Sequence, residues 1–127
     1  MRRRHLLATA PALLAAACTA PAPAPPAIAV FFTADSASLD GEAAEVVRRA
    51  AAAARGGTGP VTVLGFAGPA GGVAYNRALS EARAQHVADM LIANGVARER
   101  VRIVPRGPVP FEAMATESRR VEIRIGG

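Results

Sequence analysis

The chain has no lysine, no tryptophan, one cysteine, one tyrosine and four phenylalanines in 127 residues. Each shortage excludes something. The lone Cys18 cannot close an intramolecular disulfide, so no covalent staple holds the fold. With aromatics at 4%, Val, Ile, Leu and Ala must fill most of the core. The length allows one domain of about 100 residues with a single core. All fifteen basic residues are Arg, which we read first as a signature of genome base composition. Arg2, Arg3 and Arg4 belong to an N-terminal leader. Without them twelve Arg face ten acidic residues, a net charge of +2 instead of +5. No basic run is interleaved with aromatics, so a nucleic-acid surface is not expected. His5 lies in the leader and His86 stands alone, so neither a metal site nor a cofactor is expected.

A long hydrophobic run is missing too. Leu6 to Ala17 is apolar for twelve residues, too short to span a bilayer and interrupted by Pro11. Behind Arg2–Arg4 it has the layout of a signal peptide. Cys18 follows Leu14-Ala15-Ala16-Ala17, which resembles a bacterial lipobox, so residues 1–18 are expected to be a lipoprotein-type leader with lipidation at Cys18. The alternative is an ordinary signal peptide with an unmodified Cys. Thr19, where an Asp would signal retention, favours the outer membrane. Arg3-Arg4-His5-Leu6-Leu7 has a twin-arginine look, so the export route, Sec or twin-arginine, stays open. Residues 19–27, Thr-Ala-Pro-Ala-Pro-Ala-Pro-Pro-Ala, form a Pro/Ala linker that favours extended polyproline II. At about 3.1 Å per residue it reaches roughly 28 Å.

Residues 28–127 form the domain. Ile28, Val30, Phe31 and Phe32 make a β-prone run, and Asp35 to Ser38 a turn. Asp40 caps a helix running to about Arg55, with Ala43, Val46, Val47, Ala50 and Ala54 on its apolar face. Gly56 to Pro60 stops it. Val61 to Phe66 is a second strand. After a Gly-rich loop a long helix spans about Val73 to Asn94, ended by Gly95, with Ala84, Val87, Ala88 and Leu91 toward the sheet. A third strand is expected at Val101 to Val104, broken by Pro105 to Gly107. Phe111 to Thr116 suggests a helical turn. Val121, Ile123 and Ile125 alternate with Glu122 and Arg124 in a last strand. The fold class is therefore α/β: a β-α-β-α-β-β sandwich, two helices packed on one mixed four-stranded sheet.

Asn76-Arg77-Ala78-Leu79-Ser80-Glu81-Ala82-Arg83-Ala84 resembles the N-x-x-L-S-x-x-R-A signature of OmpA-like domains. Val30 to Leu39 is similar to the family's opening strand and turn. Gly95-Val96 with Arg100-Val101, and Ser118-Arg119-Arg120-Val121-Glu122-Ile123, resemble its later motifs. The resemblance implies the fold just given and non-covalent binding of peptidoglycan, with no enzyme activity. In that family an Arg, here Arg83, receives the carboxylate of a diaminopimelate stem peptide, where a guanidinium can fork onto two oxygens. Arg119 resembles the supporting Arg of the closing motif, with Ser118 in place of an Asn. Asn76 organises the loop–helix junction. The family's second ligand group is an Asp in a G-H-T-D loop, but here the loop reads Gly65-Phe66-Ala67-Gly68. Losing that acid should cost on the order of 2–5 kcal/mol of binding. Asp35 is the candidate replacement, or else it satisfies turn amides.

Three readings follow. One is an outer-membrane lipoprotein with a periplasmic domain that grips peptidoglycan. The second is a degenerate module that has lost wall binding and joins other envelope proteins. The third is an anion or nucleotide binder using the Gly-rich loop, which lacks the G-x-G-x-x-G spacing and a Gly-Lys-Ser/Thr end. Ser80, His86 and Asp89 have the residue types of a hydrolase triad, but Ser80 and His86 fall on different helix faces and no strained elbow is present. Arg83 has a plainer alternative as an exposed, snorkelling side chain.

Overall fold

The computed structural model describes residues 11–12, 27–68, 72–108 and 118–126. Cys18 and the rest of the leader apart from residues 11–12, the linker up to Pro26, and the expected turn at Phe111–Thr116 lie outside the described residues. The elements run β1 (Ile28–Phe31), α1 (Gly41–Ala54), β2 (Val61–Ala67), α2 (Val73–Ala93), a single 3-10 turn (Arg98–Arg100), β3 (Val101–Pro108) and β4 (Arg120–Ile125). The sheet order is β1-β4-β2-β3. β4 pairs antiparallel with both β1 and β2, and β3 runs parallel to β2. The expected order and mixed four-stranded sheet are present.

Local chemistry sets the helix ends. The Asp40 carboxylate accepts the Ala43 N–H at 2.9 Å, satisfying an orphan donor of the first turn. At the far end of α2, Gly95 adopts φ +100°. Val96 N–H then bonds Leu91 O, and Gly95 N–H bonds Ile92 O, both at 3.1 Å. This is a Schellman closure, sealed by burial of Val96 and Leu91.

The core lies between the helices and one sheet face. Val47, Ala50, Ala51 and Ala54 of α1 and Ala84, Val87, Ala88 and Leu91 of α2 meet Val30, Val61, Val63, Val121 and Ile123. The expected α1 stripe is corrected at two points: Ala44 and Ala51 join it, and Val46 is only half-buried. On a helix this rich in Ala, small side chains let a wider arc face the sheet.

Gly65 sets how closely α2 approaches β2. A Cβ there would fall 2.2 Å from the Ser80 carbonyl oxygen and 3.0 Å from Ala84 Cβ. The helix backbone thus rests directly on the strand.

β3 differs from expectation. It passes through Pro105 to Pro108, with a register shift opposite Gly65/Phe66. Pro105 does not end the strand because β3 is an edge, where a residue without an N–H is tolerated, and the shift absorbs the irregularity. On the outer sheet face, Glu122 accepts from Arg120 Nε and Arg124 Nη2, each at 3.0 Å. Burial pushes the Glu122 carboxyl up, but these two partners together hold it below its usual value.

Gly65→Ala is expected to destabilise the domain by about 1–3 kcal/mol, the scale of an overpacked core position. Gly41→Ala, at a helix position with nothing within 4 Å of its Cβ, is expected to leave stability unchanged or slightly raised. Urea denaturation of the two variants checks both signs.

Candidate functional site

The C-terminal ends of β1 and β2 and the N-terminal end of β4 lie at one end of the sheet, opposite Ile28, as the antiparallel registers require. The β1–α1 loop, Gly68, Ser118–Arg119 and one stripe of α2 meet there. Tyr75, Arg83 and His86 fall within about 80° of one another on that helix at 100° per residue.

Arg83 is central and 0% exposed. Nε donates to Ser36 O at 2.8 Å, Nη2 to Thr33 O at 3.0 Å and Nη1 to Phe66 O at 3.3 Å. Its guanidinium also lies 5.2 Å from the Phe32 ring centroid, within cation–π range. Three of its five N–H groups therefore hold main-chain carbonyls from two separate segments. The plainer alternative of an exposed, snorkelling Arg83 does not hold: the side chain turns inward, where three carbonyls and an aromatic face replace its hydration. Burial pulls the guanidinium pKa down and the nearby Arg119 charge pulls it further, while Tyr75 and Asp35 act in the opposite sense. An arginine stays protonated regardless.

The β1–α1 loop is stapled to α2 at two more points. His86 Nδ1 lies 2.6 Å from Ala37 O, which requires the proton on Nδ1 because a carbonyl can only accept. The Tyr75 hydroxyl donates to Asp35 Oδ1 at 3.2 Å. Asp35 itself takes φ +53°, a conformation Asp tolerates better than most residues. In this turn Ser38 N–H donates to Ser36 Oγ at 3.0 Å, and not to Asp35. The Asp35 carboxylate faces Tyr75.

Asn76 and Ser118 are buried, and Arg119 is half-buried. The Arg119 carbonyl accepts Phe32 N–H at 3.0 Å, locking the entry of β4 to the exit of β1. A Cβ on Gly68 would sit 3.4 Å from Ser118 Oγ and 3.9 Å from Arg119 Cγ, ordinary contact distances. A side chain at 68 would thus fit and point at the Ser118–Arg119 pair. Arg119 and Asp35 both act electrostatically on the Arg83 guanidinium, in opposite senses. Two guanidiniums against one carboxylate favour an anionic group. Among the described residues no cluster of His, Cys, Asp and Glu could hold a metal, and no helix is long and apolar enough to cross a membrane.

Sequence reasoning missed Phe32, Tyr75 and His86 as members of this end. The helical spacing of Tyr75, Arg83 and His86 was the available signal.

Comparison with known proteins places this geometry. The OmpA family matches residues 31–124. Three solved structures share the fold. The peptidoglycan-associated lipoprotein from Burkholderia pseudomallei is 23% identical with a TM-score of 0.69, covering 76% of this chain and 87% of that one. The C-terminal domain of Helicobacter pylori MotB is 21% identical with a TM-score of 0.68, covering 77% and 81%. The cell wall anchor of the T6SS from Pseudomonas aeruginosa is 34% identical with a TM-score of 0.62, covering 75% and 73%. No curated protein matches the chain.

Two outcomes are expected from this geometry. Arg83→Gln should destabilise the domain by about 3 kcal/mol, because an amide cannot serve three carbonyls and leaves buried acceptors unmet; denaturant melts check this. Tyr75 is the only tyrosine, so absorbance at alkaline pH reads it alone. Desolvation first, then the bond to Asp35 and its charge, raise its pKa above 10.0. Asp35→Asn should bring the midpoint part of the way back. By sign, the Tyr75–Asp35 bond supports the loop below pH about 10 and is lost as pH rises through the raised value.

Proposed function

Because the chain belongs to the OmpA family, we propose that it is a non-catalytic envelope protein that holds peptidoglycan at the Arg83–Arg119 end of its sheet. The observation that carries this reading is the Arg83 guanidinium bonded to the β1–α1 loop at 2.8 and 3.0 Å, with Arg119 at the same end of the sheet. Two relatives support it, one a peptidoglycan-associated lipoprotein and the other a cell wall anchor.

In this reading a stem-peptide carboxylate meets Arg119 first, and the two Arg83 N–H groups not used by carbonyls complete the grip. Asp35 supplies the negative charge for the diaminopimelate ammonium, since Gly68 supplies none. Asn76 and Ser118 hold the helix start and the β4 entry from within. Residues 1–18 act as a lipoprotein leader, Cys18 carries the lipid, residues 19–27 space the anchor from the wall, and residues 28–127 form the binding domain. The protein then sits on the periplasmic side of the outer membrane. One acyl chain binds a bilayer only marginally, so stable anchoring needs the several chains of a bacterial lipoprotein.

A second reading has its own observation. Arg83 is fully enclosed and already bonded to three carbonyls, and the loop acid is missing. Both favour a module in which Arg83 is structural and the domain serves a protein partner in the envelope.

Co-sedimentation of residues 19–127 with diaminopimelate-type sacculi separates the two. On the first reading the unaltered chain pellets, Arg119→Ala releases it, and Gly68→Asp pellets at roughly 30-fold lower concentration or better, the affinity equivalent of at least about 2 kcal/mol. If the unaltered chain stays in solution while Gly68→Asp pellets, the second reading holds. The anchor is tested separately: full-length protein should incorporate labelled fatty acid, and Cys18→Ser should not.

A further inference from the structure

The two edges of the sheet are unlike. β3 is blunted by Pro105 and Pro108, by Arg102 and Arg106, and by a register shift. These are features that keep an edge strand from pairing with another chain. β1 has none of them. It reads Ile-Ala-Val-Phe, without charge, proline or bulge, and β4 is its only strand neighbour among the described residues. Phe31 is 47% exposed on it.

The register shows which main-chain groups of β1 remain unpaired. Phe32 N–H donates to Arg119 O, one step beyond the Phe31↔Arg120 pair. Hydrogen-bonded pairs alternate along an antiparallel ladder. Val30 and Ile28 therefore bond β4 as Phe32 does, and the N–H and C=O of Ala29 and Phe31 point away from the sheet. They point into a groove of about 370 Å³ between β1 and α1. Its inner wall is Phe32, Ala43 and Val46, its α1 rim carries Asp40 and Glu42, and Thr33 and Arg119 line the end nearest the candidate site.

We propose that this groove is a strand-addition site for a partner protein. An extended segment would pair with Ala29 and Phe31, seat alternate apolar side chains against Phe32, Ala43 and Val46, and place a basic side chain at Glu42. Main-chain bonds supply affinity in such docking and the side-chain pockets supply specificity. Two acids against the one Arg119 leave the groove with a net negative charge; a second copy would bring the same acids to the junction, so charge favours a basic partner strand, its basic side chain at the Glu42 rim. The groove shares Arg119 and Phe32 with the wall-binding end, so the variants that test it are placed at Ala29 and Glu42, which the wall-binding reading does not use.

The probe is a fluorescein-labelled nonapeptide in which Val alternates with Thr and Arg, titrated by anisotropy against residues 19–127. Ala29→Pro removes a donor that faces the groove, at an edge position where proline is tolerated, and should weaken binding about fivefold, the loss of one main-chain bond. Glu42→Gln should weaken it about threefold, the scale of one exposed ion pair. Amide exchange should slow at Ala29 and Phe31 and stay unchanged at Val30. A variant-free control uses the peptide alone: N-methylation of the residues that face β1 should abolish binding, and N-methylation of the alternate set should not. The proposal is overturned if both methylated peptides bind alike, if Ala29→Pro binds as well as the unaltered chain, or if no binding occurs at roughly millimolar peptide. It is also overturned if the chain self-associates through β1 and Ala29→Pro makes it monomeric, since the occupant is then a second copy.

Discussion

A buried charge dictates the geometry of this domain's functional end. Arg83 leaves water entirely, and an ion can do so only if hydrogen bonds replace its hydration. It finds them on Thr33, Ser36 and Phe66, so the loop after β1 and the last residues of β2 must present carbonyls to one planar fork. Phe32 covers the guanidinium face, and Asp35 offsets part of the field from Arg119. Lysine could not take this role. Its ammonium is a compact point charge, with no planar fork to reach three separated acceptors. The same device recurs at the other end of the domain. Arg100 bonds the carbonyls of Gly59 and Ala54 at 2.7 and 2.6 Å, and Arg55 Nη1 bonds Asn94 O at 3.3 Å. In a chain without lysine, the fold uses arginine for carbonyl cross-links between segments far apart in sequence.

The thin core makes those cross-links matter. Alanine dominates the inner face of α1 and supplies two of the four core apolar residues of α2, and each alanine buries much less apolar area than a leucine. Close approach compensates: Gly65 lets the α2 backbone rest on β2, which brings Arg83 down to the level of the loop carbonyls. Gly65 and Arg83 therefore act together, because a helix held farther out would leave the guanidinium short of its acceptors.

Most of the fold was legible because its signals are local. The Asp40 cap, the Gly95 stop and the alternation of Val121, Ile123 and Ile125 each state a boundary or a face within a few residues. β3 was read too short because proline chemistry was weighed without knowing that the strand lies on an edge. The site was legible only through motif spacing. Arg83 and Arg119 could be placed at one end of the sheet, but the partners of Arg83 are main-chain carbonyls, 17 to 50 residues away in sequence, and a carbonyl has no residue identity to read. Tyr75 and Asp35 are 40 residues apart, and their pairing depends on a turn with positive φ that Asp permits but does not announce.

The layout also bears on how an anchor could carry load. The chain enters the domain at Ile28, at the end of the sheet opposite Arg83 and Arg119. Under the proposed function, tension would run between these ends and along β1. The bonds that join β1 to β4 lie perpendicular to the strands, so such a load shears them together instead of peeling them singly. The Arg119 carbonyl bond to Phe32 extends that ladder into the site. The residue that meets the ligand carboxylate would then also lock the strand that leads to the tether, and a pull on either end would be resisted by the whole β1–β4 seam.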